Sequence, residues 1–459
     1  NTTASYNVAI GHNTLETNTT GAANVGVGDG VLNANTGSNN TAVGHRAMLS
    51  GTNGNGKVAI GYEALKTATD GSYQIAIGFE AMKTTTTGTN NVMIGYRAGH
   101  NHTTGGSNTA LGHGALYSLT EASYNTAIGQ NACSSITDGG QNNTAVGAGA
   151  LTYVTNGDGN VAVGYQALKA NTTAGDNVAV GHNAMLANTT GSANVAMGNA
   201  AFDANTTGSN CTAIGSAAMS KCDGAEKNTA VGRQAMYELT SGDDNTSVGY
   251  NAMTLLTTGY SNVAVGAFAG DNQTVGYNNV YIGDNAGNTH STGDRCIYVG
   301  RGTDCSGNSV DLEYVFGQGL SGKGTQTFFA GGNTAAYNEA NQSSWTTTSD
   351  RRIKKNITNN TTGLDKINQI TVRNFEYKTE DEIKTDNPEL TDVVKSAVVN
   401  KEGLQVGSIA QEIEEVLPDV VRTSELGIKS VNTDNLTWYL VNAVKELSAE
   451  NNALKARLD

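Results

Sequence analysis

Over the first three hundred residues the apolar positions recur in one short figure. The run Asn7–Gly11, NVAIG, returns as NTAVG, KVAIG, QIAIG and NVMIG. Its closing glycine falls at 11, 28, 44, 61, 78, 95, 112, 129, 147, 164, 181, 198, 215, 232, 249, 266, 283 and 300, which makes 18 copies. The spacing is 17 except for one step of 16 and one of 18. The residue before this glycine is always Val, Ile, Leu or Met, and two earlier it is Val, Ile or Thr. That alternation predicts a short β-strand whose Val/Ile positions form the buried face. The residue between them, mostly Ala, then falls on the opposite face, where something must approach closely. Ala followed by Leu or Met, as in Ala64-Leu65 and Ala235-Met236, gives a second buried position three and four residues after the glycine. The remainder, such as KANTTAGD at Lys169–Asp176, is turn chemistry.

A seventeen-residue unit cannot bury its own apolar face, but stacked copies share a continuous core. The pattern therefore predicts a mainly β fold, a parallel β-solenoid over residues 1–302. Each coil rises by about 4.8 Å, so eighteen give a rod of roughly 85 Å. Asn stands four residues before the glycine in 14 copies and is positioned to form a hydrogen-bonded ladder along the axis. The near-constant Ala column points to close packing between chains, three being the expected number.

The period fades over 303–349, a β-rich neck in which Val315–Gly332 mixes glycine with aromatic residues. From 350 to 459 the pattern becomes that of a small α/β domain. Leu364, Ile367 and Ile370 have helical spacing, Arg373–Lys378 alternates as a strand, and Val398–Gly407 reads as a hairpin. Ser408–Pro418 is an amphipathic helix stopped by its proline. Leu440, Val444, Leu447, Asn451, Leu454 and Leu458 follow in steps of 4, 3, 4, 3, 4, a coiled-coil seam with one polar position to set register.

Charge sharpens the boundary near 350. Residues 350–459 hold 15 Lys+Arg and 19 Asp+Glu, while the preceding 349 hold 12 and 22, which together give the net −14. An acidic chain without a basic stripe argues against nucleic acid as a partner. The five cysteines (133, 211, 222, 296 and 305) show no metal-type spacing and read as small apolar residues of the repeat. No metal or cofactor is called for. No apolar run approaches the roughly 18 residues of a membrane span. The absence of a starting Met and of a leader pattern marks residue 1 as a fragment boundary, with an attachment region expected upstream.

The repeats resemble the β-roll heads of trimeric bacterial adhesins and the shafts of phage tail fibres. Ser349–Ile357 (SDRRIKKNI), Gly363–Lys378, Val406–Val421 and Val431–Leu458 together resemble the intramolecular chaperone domain of phage endosialidases and tail fibres. That resemblance implies a domain that trimerises and folds the upstream fibre and then cuts itself off. It places the cut between Ser349 and Asp350, with Ser349 as nucleophile and Lys354 as base. Arg351, Arg352, Lys355 and Asn356 complete the motif. A serine hydroxyl needs a base beside it. A lysine serves only if burial or neighbouring cations lower its pKa from about 10.4 to about 7–8, which takes roughly 3–5 kcal/mol. Folding and assembly are then the gate.

The resulting expectation is a homotrimeric phage receptor-binding rod of the virion tail, assembled in the host cytoplasm. Its partners would be a host surface glycan or protein and other tail proteins, and it would not insert into a membrane. The alternatives are a trimeric bacterial adhesin and a glycan-degrading tailspike. The tailspike would need paired carboxylates, and Glu16, Glu63 and Glu80 read as exposed.

Overall fold

The computed structural model describes residues 3–331, 337–338, 351–388, 403–423 and 428–458. The chain forms two compact units, 1–348 and 349–459.

The first unit is the solenoid. Each repeat contributes one three-residue strand, from β1 (Val8–Ile10) to β18 (Ile297–Val299). All eighteen stack parallel and in register, so that Val161 lies opposite Val178, Ala162 opposite Ala179 and Val163 opposite Val180. The ladder does not stop where the repeat motif fades. Tyr314 sits opposite Ile297, and Phe328 opposite Tyr314, so β19 (Tyr314–Gly317) and β20 (Phe328–Gly331) extend the parallel ladder. The solenoid thus has about nineteen turns at the seventeen-residue spacing, closed by a shorter one.

The strands face the other way from the sequence expectation. Ala42, Ala59, Ala76, Ala110 and Ala162 are fully buried inside their own coils, while the flanking Val and Ile are half-buried or exposed. The Ala column therefore cannot be a contact between chains. The reason is space. A coil of seventeen residues encloses a narrow interior, already filled by the Ala-Leu or Ala-Met pair from beyond the corner, as at Ala64-Leu65 and Ala235-Met236. Only a methyl group fits opposite. Where the strand carries a larger residue, its partner shrinks. Met93 occupies the Ala position, and position 99 in the Leu/Met column is glycine, where a Cβ would lie 1.8 Å from the Met93 sulfur. Tyr281 does the same, and a Cβ on Gly287 would lie 2.2 Å from its ring.

The asparagine ladder is present and buried. Asn91 accepts from the backbone N–H of Asn108 through its Oδ1 at 2.9 Å, and donates through Nδ2 to the Gly105 carbonyl at 2.9 Å. Asn108, Asn125, Asn143 and Asn160 repeat both bonds down the axis. Each side chain satisfies a backbone donor of the next coil, which is why a fully buried polar column is tolerated. The closing glycines are required twice over. Gly164 has φ +137°, and a Cβ on it would sit 2.3 Å from the Gly181 carbonyl oxygen. Leu65 and Met82 in the core also hold left-handed backbone, φ +49° and +48°, a strained conformation for bulky residues that the packing enforces. All five cysteines are free and buried, and burial pushes the Cys133 thiol up to about 12 and Cys211 to about 11.

The second unit packs a long helix, Thr433–Lys455, against a helix at Leu364–Ile367 and a turn at Pro418–Val420, and also holds a helix at Ala410–Val416 and two small antiparallel pairs. Ile413, Leu417, Val420 and Tyr439 form its core. The helix before Pro418 is as expected, and the proline opens a 3-10 turn, Pro418–Val420. Strand Gln405–Gly407 pairs with the distant Arg373–Phe375. The other half of the expected hairpin lies outside the described residues. Glu446 of the long helix accepts the Leu364 N–H at 2.6 Å, and Asn442 donates to the carbonyls of Asn360 and Thr362 at 2.9 and 3.1 Å. These bonds tie the segment that follows the basic run to the carboxy-terminal helix.

Candidate functional site

The residues expected to carry chemistry begin at Ser349. Ser349 and Asp350 lie outside the described residues. Arg351–Ile353 form one turn of 3-10 helix, and the Lys354 N–H donates to the Arg351 carbonyl at 3.2 Å. Asn356 reverses the chain with φ +54°, a conformation that asparagine tolerates better than most residues. Arg351, Arg352, Lys354 and Lys355 are thereby gathered within one and a half turns, all exposed. Lys354, its cationic neighbours and the turn-forming Asn356 fall on one short structural element. The burial that a lysine base requires is not supplied by the described part of this single chain.

The seam residues all fall on or just beyond the long helix. Tyr439 and Ala443 point into the unit. Leu440, Val444, Leu447 and Leu454 form an exposed apolar stripe, with 45 to 65% of each accessible, and Leu458 extends it past the helix end. Beside this helix lies an open groove of about 750 Å³, bordered by Asn360, Asp419, Trp438 and Lys445. Trp438 is 69% exposed, which its apolar neighbours Leu436, Tyr439 and Leu440 in the sequence did not signal.

In the solenoid the structure corrects the reading of the glutamates. Glu63 and Glu80 are buried, and Glu16 alone is exposed. Lys83 bridges the two buried carboxylates at 2.9 and 2.6 Å, with Lys66 on Glu63 and Arg97 on Glu80, each at 2.8 Å. Burial alone would raise the Glu63 pKa, but the two lysines outweigh it and hold it at about 2. Glu80 is likewise lowered, burial again opposing Lys83 and Arg97. A carboxylate pair that hydrolyses a sugar includes a general acid, which needs a raised pKa. These two are held ionised and act as struts between coils. Sequence reading missed them because each carboxylate takes one cation from its own turn, Lys66 or Lys83, and a second from the next, Lys83 or Arg97, which the linear pattern does not bring together.

Among the described residues no group of His, Cys, Asp and Glu could hold a metal ion. No helix among them is long and apolar enough to cross a membrane. No curated protein and no solved structure matches the chain. Residues 349–422 match the model of a peptidase family described as chaperone of endosialidase. With an endosialidase-type chaperone segment following a β-solenoid of about nineteen turns, the chain fits a protein of the phage tail-fibre or endosialidase type.

Proposed function

We propose that the chain is the host-attachment rod of a phage tail, built as a homotrimer. Its carboxy-terminal unit brings three chains into register and then severs itself between Ser349 and Asp350. The observation that carries this reading is the chaperone match, which begins at residue 349, the expected cleavage position. In the proposed step Lys354 takes the Ser349 hydroxyl proton, the oxygen attacks the Ser349–Asp350 carbonyl of a neighbouring copy, since attack on its own carbonyl would close a four-membered ring, and the Asp350 nitrogen leaves with a proton. Water completes the hydrolysis, one molecule consumed per bond broken.

Lysine in water is protonated at neutral pH and cannot act as a base. Lys354 is exposed in the single chain. Assembly must therefore cover it, and trimerisation becomes the trigger of release. Two exposed apolar stripes support the assembly. One is the seam of the long helix. The other is the outward Val/Ile face of the solenoid, where Ile60, Leu111, Ile128, Met197, Ile214 and Val265 recur coil after coil. Contiguous exposed apolar surface of this extent marks an interaction site, and a second and third copy present a stripe of the same length and repeat.

Denaturing electrophoresis of the purified chain tests the reading. The wild type should give fragments of 349 and 110 residues (459 − 349 = 110). Ser349→Ala and Lys354→Ala should stay at full length. Normal cutting by Ser349→Ala refutes the assigned nucleophile.

A further inference from the structure

Exposed aromatic side chains on the solenoid are ordered in columns. His45, Tyr62, Phe79, Tyr96 and His113 each follow a closing glycine and stack on one another with centroids 4.9 to 5.4 Å apart. In a parallel column His100 stacks on Tyr117 at 5.2 Å. Both columns end on the same coil. The next turn places Gln130 and Ser134 in those positions, so His113 and Tyr117 each keep one ring face with no ring against it. Between them stands Gly114, at a position that carries Arg, Glu, Asn or Gln in most coils. The missing side chain leaves a notch of about 330 Å³, within the range of small-ligand sites. Asn131, Ser134 and Ser135 of the following coil line it, and among the described residues the Asn131 amide has no hydrogen-bond partner.

The same arrangement recurs two coils further on. Gly149 opens a notch of about 280 Å³ bordered by Tyr153 and Tyr165, and Asn131 lines this one too. Tyr165 stacks on His182 on one side only, at 5.2 Å, and its other neighbour in the column is Ala148. The free faces of His113 and Tyr165 thus bound a stretch of three coil rises, about 14 Å.

The geometry points to an oligosaccharide-binding site across these two notches. An aromatic face is electron-rich and takes the polarised C–H face of a pyranose ring. Amide and hydroxyl side chains at the back of the notch match sugar hydroxyls, which both donate and accept. The first notch takes a neutral rather than an anionic unit, because Arg97 at its rim is already paired with Glu80 at 2.8 Å; Lys169 lines the second notch. The notch residues lie outside the Val/Ile stripe proposed to join the chains. The inference deepens the attachment reading, and rests on it only for the source of the saccharide.

The test applies the purified protein, in whatever processed state it reaches, to an array of neutral and acidic oligosaccharides of three to six residues. Gly114→Asn refills the notch with a residue that holds the same left-handed backbone at Asn131 and Asn183. An added Cβ would meet only the flexible Asn131 amide, at 2.6 Å. We expect wild type to bind at least one neutral oligosaccharide. Gly114→Asn and the His113→Ala/Tyr117→Ala pair should each weaken it about tenfold or more. Tyr73→Ala, an exposed tyrosine elsewhere, should bind as wild type. Melting temperature and the cleavage pattern should be unchanged in Gly114→Asn, which separates loss of the site from loss of the fold or of self-processing. Wild type binding no neutral glycan, or binding undiminished in both notch variants, overturns the proposal.

Discussion

The pairing of Met93 with Gly99 allows a direct test of what fills the coil interior. Met93→Ala alone empties a fully buried site that Gly99 cannot fill, and should destabilise its coil by about 2–5 kcal/mol. Gly99→Leu alone places a Cβ where the Met93 sulfur stands, an overpacking worth about 1–3 kcal/mol. The double variant recreates the neighbouring arrangements Ala76/Met82 and Ala110/Leu116. Its backbone is ready for the change, because Gly99 has φ +57°, against +48° for Met82 and +52° for Leu116. Exchange of a methionine for a leucine of similar volume should then cost less than about 1.5 kcal/mol. The single effects sum to about 3–8 kcal/mol, so the expected coupling is at least about 1.5 kcal/mol in favour of the pair. Because a solenoid coil contacts chiefly its neighbours, native-state hydrogen exchange of amides in residues 92–116 is the suitable assay. If the double variant loses the sum of the two single effects, the interior is not the close-fitted space inferred here.

Acid should loosen the shaft at His102. This imidazole is fully buried and its pKa is lowered to about 4, chiefly by burial. The unfolded chain takes up a proton near pH 6.5 and the folded one only near 4, so stability falls as pH drops through that window, by about 3 kcal/mol in all. His102→Asn, the residue found in that column at Asn171, Asn188 and Asn205, should remove this dependence in urea titrations at pH 7 and pH 4.5. Ile214→Lys on the outward stripe should weaken the trimer by about 2 kcal/mol per chain, read by sedimentation, because the burial of one isoleucine is lost. An unchanged trimer would place the contact between chains on another face.

The repeat period, the strand positions, the asparagine ladder and the helices flanking Pro418 were all legible in the sequence. They depend on local pattern and on a register repeated eighteen times. The direction in which the strand faces was not. Alternation separates two faces but does not say which is inside when both Ala and Val/Ile are apolar. The deciding information lay in volume, in the glycine that answers Met93 and the one that answers Tyr281, residues that are distant in the pattern and touch only across the coil. The two extra turns at Tyr314 and Phe328 were hidden because their Ala positions are Val315 and Phe329 and their loops depart from the consensus. The basic run was legible as a motif, whereas the surroundings that the proposed lysine base requires are not supplied by the described part of one chain.

The in-register stacking has an evolutionary consequence. A coil that touches only the coils above and below can be duplicated or deleted as a unit, so reach is a heritable quantity that changes in steps of about 4.8 Å with the chemistry untouched. Not every junction permits it. A copy inserted between Gly270 and Tyr281 would separate a ring from the gap that receives it, whereas the stretch from Ala145 to Ala230, uniform in its small residue, would accept a new turn anywhere. Length variation among descendants of this chain should therefore concentrate in the middle of the solenoid and spare its carboxy-terminal coils.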